Sequence, residues 1–85
     1  MQIDGALVRE QGVVFAVVAV KKHVVDDRAQ ALSTARSFAP LFSNVPIILM
    51  GQDNAGGATF FGRQDIVRFL SQISLNRLPW KRYTI

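Results

Sequence analysis

Val13–Val20 reads Val-Val-Phe-Ala-Val-Val-Ala-Val, with no polar residue at either alternating set of positions. β-branched side chains dominate, and the run is short for a buried helix. The pattern predicts a central strand covered on both faces. Val45–Met50 (VPIILM) repeats it and predicts another such strand. Pro46 falls at its start, where a missing N–H matters least. Gln2–Arg9 predicts a strand ahead of both, weakened by Gly5, with Gln11-Gly12 as a tight reversal into Val13. Gly51–Gly57 (GQDNAGG) reads as a turn, Ala58–Phe61 as a short fourth strand, and Gly62 as its stop.

Between the apolar runs the period changes. Ala31, Leu32, Ala35, Phe38 and Ala39 share one helical stripe, while Arg28, Ser33, Arg36 and Ser37 fall away from it. Asp26 or Asp27 can cap this helix, and Asp27 with Gln30 has capping-box spacing. Pro40 ends it near Phe38–Ala39. A second helix is predicted over Gln64–Ile73, with Ile66, Val67, Phe69, Leu70 and Ile73 inward and Asp65 in its first turn. The remainder, Ser74–Ile85, is too apolar for a free tail.

These elements predict a single α+β domain over residues 1–85 with residues 74–85 as a docking tail. Its architecture is a two-layer ββαββα sandwich carrying a four-stranded mixed sheet in order 1-2-3-4. One helix links the two wholly apolar strands, so they pair in parallel through a right-handed crossover. With both helices on one side, the other apolar set of Val13–Val20 and Val45–Met50 would face water. Monomers seldom expose such a patch, so a homodimer or larger even oligomer is expected.

At 85 residues, 49% of them hydrophobic and 19% charged, the chain has room for one core and is not of disordered composition. It has no cysteine, which excludes disulfides, thiolate catalysis and Cys-ligated zinc. It has one histidine, which excludes an intrachain site needing two imidazoles. No cofactor or metal is expected. The longest apolar run is far below the ~20 residues of a membrane-spanning helix. No targeting segment is legible at the N-terminus, so the expected setting is the cytoplasm, away from membranes.

The net charge of +4 is unevenly spread. Arg63, Arg68, Arg77, Lys81 and Arg82 face only Asp53 and Asp65 in the later part of the chain. Within it, Arg77, Trp80, Lys81, Arg82 and Tyr83 interleave cations with aromatics. Nucleic-acid surfaces use that mixture, and so do protein contacts. A second candidate is geometric. Ligands favour the carboxyl ends of parallel strands, which places Lys22, His23, Asp26 and Asp27 near Gln52, Asp53 and Asn54. A third is Gly62 and Arg63, where backbone N–H groups and a guanidinium can meet an anion. His23 lacks a serine at motif spacing, and no catalytic residue is singled out.

Val45–Leu70 resembles the C-terminal half of thioredoxin- and glutaredoxin-like domains in its Val45-Pro46 pair, its hairpin, Gly62 and a closing helix containing Asp65. The CxxC of those domains is missing, and no function follows from the resemblance. The sequence leaves three roles open. A small homo-oligomeric binding or assembly protein comes first. A nucleic-acid-binding accessory protein using the basic-aromatic tail comes next, ahead of a small-molecule-binding protein or enzyme.

Overall fold

The computed structural model describes residues 2–10, 12–52 and 57–84. The first hairpin forms as the pattern predicts. β1 (Gln2–Glu10) pairs antiparallel with β2 (Val13–Lys21), from Asp4 opposite Ala19 to Glu10 opposite Val13. Gly12 takes a φ of 79° at the reversal, which a residue with a Cβ rarely adopts. β3 (Ile47–Gln52) then lies parallel to β2, with Val18 opposite Leu49 and Lys21 opposite Gln52.

The crossover between β2 and β3 carries two helices. α1 (Lys22–Asp26) starts directly at the end of β2, where no helix is predicted. It sits close on β3 because Gly51 has no side chain. A Cβ there would come 3.0 Å from Lys22 Cα and 2.9 Å from Val25 Cγ2. α2 (Arg28–Phe38) follows after a break at Asp27, whose carboxylate accepts a 3.1 Å bond from the N–H of Gln30. Pro40 turns the end of α2 into a 3₁₀ turn over Ala39–Phe42. Along the predicted stripe Ala31 and Phe38 are buried, but Leu32 is exposed.

β4 (Ala58–Phe61) returns antiparallel along β3, and Gly62 leads into α3 (Gln64–Leu70). A 3₁₀ turn at Leu75–Arg77 precedes the element that the hydrophobic pattern does not reveal. β5 (Trp80–Thr84) is a fifth strand, antiparallel to β1 from Ala6 opposite Trp80 to Gln2 opposite Thr84. The docking tail is therefore part of the sheet. The order is β4-β3-β2-β1-β5, five strands instead of the expected four.

The layering differs too, for a topological reason. β4 is at one edge of the sheet and β5 at the other. With a strand spacing of about 4.8 Å, the chain must travel roughly 19 Å between them. α3 and the following turn make that journey across the face opposite α1 and α2. On the α3 side Ile66, Leu70 and Leu78 pack with Ala6, Val8, Phe15, Val17, Ile48 and Met50. On the α2 side Val25, Ala31, Phe38 and Phe42 pack with Ile3, Ala16, Val18 and Leu49. The molecule is a three-layer helix–sheet–helix arrangement, not a two-layer one. Phe15, Ala16, Val17 and Val18, two from each alternating set, are all buried by their own chain. The uncovered face that motivated a second copy does not exist.

Candidate functional site

The carboxyl ends of β2 and β3 lie side by side, and the Lys21–Gln52 pairing brings the Lys22-His23 step next to Gln52. The side chains there serve local structure. Lys22 Nζ meets Asp26 Oδ2 at 2.8 Å, one helical turn along α1. Asp27 caps α2. His23 is exposed on α1. Gln52 borders a shallow depression on each face of the sheet. One, about 190 Å³, is shared with Asp4, Asn76 and Trp80. The other, about 570 Å³, is shared with Lys21, Val24, Thr34 and Phe38. Asp53 and Asn54 lie outside the described residues.

At Gly62-Arg63 the guanidinium is already matched to a carboxylate. Arg63 donates to Asp65 through Nη2 at 2.7 Å and Nε at 3.2 Å, a fork on a fork. That hydrogen bond is the main force holding the Asp65 carboxyl below its ordinary range, and it raises Arg63 in turn. Gly62 has a structural task instead, with φ at 155°. A Cβ there would collide with Ile48 Cδ1 and approach Ile47 O at 3.2 Å.

In the tail, strand alternation divides the basic-aromatic run between the two faces. Trp80 joins the α3-side cluster, and its indole N–H donates to Leu75 O at 2.8 Å. Tyr83 joins the α2-side cluster, edge-to-face with Phe42 at 4.9 Å. Both rings are half-buried, each packed in part against one of the two cores. Arg82 pairs with Asp4 across the strands at 3.1 Å, while Lys81 and Arg77 remain exposed.

The feature that sequence reasoning missed lies where β5 begins. β1 extends to Glu10, but its pairing with β5 stops at Ala6. The register shows which backbone groups this exposes. Ala16 donates its N–H to Pro46 O, toward β3. Along a strand these directions alternate, so Val13, Phe15, Val17 and Ala19 bond toward β1. Their partners are Glu10, Val8, Ala6 and Asp4. The N–H and C=O groups of Leu7 and Arg9 therefore point away from β2. Leu7 turns its N–H toward the Pro79 carbonyl that closes the Ala6–Trp80 pairing, and β5 does not reach its C=O or the N–H and C=O of Arg9. The other end of the pairing has the same parity. Trp80 turns its N–H back to Leu78 O at 2.8 Å, and Pro79 before it has none to give.

Beside this open stretch is a groove of about 440 Å³. Leu7, Val8, Arg9 and Glu10 form one wall, Phe69 and Ile73 of the α3 region the floor, and Arg77, Leu78 and Pro79 the closed end. Leu7 is 48% exposed, the largest value among the bulky apolar residues described. No sequence signal marks the groove, because it depends on the length by which β1 outruns β5. Among the described residues no group of His, Asp and Glu is arranged to hold a metal ion. No described helix is long and apolar enough to cross a membrane.

No protein-family model, curated protein or solved structure matches this chain.

Proposed function

We propose that this protein is a binding and assembly domain that accepts an extended segment of another polypeptide on the open edge of β1. The observation that carries this reading is the stretch of β1 from Leu7 C=O through Arg9 that β5 does not reach, beside an apolar groove. Strand addition draws affinity from main-chain hydrogen bonds and selectivity from alternate side chains entering pockets. Arg9 offers a donor and an acceptor, Leu7 a further acceptor, and Phe69, Ile73 and Leu78 offer the apolar bed. Elsewhere the sheet edges are blunted as natural proteins blunt them. β4 is short, and β5 carries Lys81 and Arg82 behind Pro79.

The reading retains the binding and assembly role and changes its geometry. Self-association has lost the bare sheet face that would drive it. A nucleic-acid role for the tail is less favoured, since Trp80 and Tyr83 each commit part of the ring to a core cluster. The decisive variant is Arg9→Pro. Its lost N–H is one the β1–β2 ladder does not use, so the hairpin is retained while an added strand loses a partner. A library of short synthetic peptides of high β-propensity is expected to yield binders that protect the Arg9 amide from hydrogen exchange. The proline variant is expected to keep its melting temperature within a few degrees and lose those binders. A library without binders, or binders indifferent to Arg9→Pro, would overturn the reading.

A further inference from the structure

We infer that the segment accepted on this edge belongs to an acidic partner and is not a second copy of this chain; the inference rests on the strand-addition reading above. Two cations flank the open edge, Arg9 on the strand itself and Arg77 at the closed end of the groove, against one acid, Glu10. Neither arginine is engaged by a carboxylate among the described residues, in contrast to Arg63 and Arg82. Face assignment turns this into a pattern. Arg9 lies on the α2 side of the sheet with Leu7, and Val8 lies on the α3 side with Phe69 and Leu78. In an added strand, the residue opposite Arg9 stands on Arg9's face and the residue opposite Val8 on the groove's face. Opposite charges directly across a strand pair attract, so the favoured segment alternates acidic with apolar residues.

The register argues against self-pairing. Only odd positions of β1 carry outward groups, so a two-fold antiparallel pairing must join odd to odd. Arg9 opposite Arg9 sets two guanidinium groups across from each other, which destabilises the pair. Leu7 opposite Arg9 carries Glu10 against Ala6 of the other copy, where Trp80 already lies. Leu7 opposite Leu7 carries Arg9 against Gly5, which Lys81 already occupies. Each close register either repels or collides with β5.

The test uses the full chain and capped, fluorescein-labelled peptides in which Val alternates with Glu, Gln or Lys. Anisotropy titrations at low salt are expected to rank Glu above Gln and Gln above Lys. The Glu peptide should bind at least several-fold tighter than the Gln peptide, with the margin shrinking as salt rises. Joint R9Q and R77Q substitution should abolish the margin between the Glu and Gln peptides. Equal binding of all three peptides, lost together in R9P, would overturn the acidic preference while strand addition stands. Binding of none would overturn both. A dimer in sedimentation equilibrium that R9P dissociates would also overturn the inference, by showing that the occupant is a second copy.

Discussion

Gly62 is the residue on which the turn from β4 into α3 depends. Its positive φ and the close Ile48 side chain leave no space for a methyl group. Gly62→Ala is expected to cost about 1–3 kcal/mol, read from chemical denaturation. Unchanged stability would show that the turn relaxes. Asp27 acts through one bond, to the Gln30 N–H, and Asp27→Ala should cost about 1 kcal/mol by the same measurement. Asp65 gives a pH signature. Its folded carboxyl is held low, chiefly by the Arg63 hydrogen bond. A depressed acid stabilises the fold above its unfolded value of about 3.9 and loses that contribution as pH falls through the folded value. Thermal melts of Asp65→Asn should show a shallower decline below that range than the parent protein. The exposure of the pair keeps the difference small.

At the level of elements, β5 ties the two cores together. Trp80 reaches the α3-side cluster and Tyr83 the α2-side cluster, so one short strand closes both faces. Burying such a side chain contributes about 1.5–3 kcal/mol when complete. These two are half-buried and contribute less each. Truncation after Pro79 is expected to lower the melting temperature by several degrees or more. It should also lengthen the open edge of β1, so the truncated protein should aggregate faster on warming, as light scattering would record. A truncated protein that melts and scatters like the full chain would show that β5 contributes nothing to the fold. Asp27 and its capping partner were legible from spacing alone, because a cap is a contact between residues three apart. The strand at Trp80–Thr84 was not, because its partner is β1 at the far end of the sequence.

For the whole molecule, the path of the chain decides what the surface offers. Crossing the sheet with α3 removes from water the apolar set that otherwise calls for a second copy. The free protein is therefore expected to sediment as a 9.4 kDa monomer at micromolar concentration. A stable dimer there would mean that an edge, not a face, mediates assembly. Of the candidate sites, the end of the parallel pair was legible. Two apolar strands joined through a helix have one favoured geometry, and Lys22 does arrive beside Gln52. The groove at Leu7–Pro79 was not legible, since its walls come from β1, α3 and the approach to β5.

The alternation of residues in the chain by itself determined the first four strands, the parallel central pair and the buried Ala31, Phe38, Ile66 and Leu70 of α2 and α3, though not the exposure of Leu32 or the end of α3 at Leu70. Those follow from local period, glycine and proline punctuation, and short connections, all set by neighbours in sequence. Only the tertiary structure decided on which face α3 packs, that the tail becomes a strand, and where that strand stops short. Which face a helix takes and how far an edge is covered depend on where the chain must go next. That constraint acts between residues far apart in the sequence, such as Ala6 and Trp80, where no pattern along the chain records it.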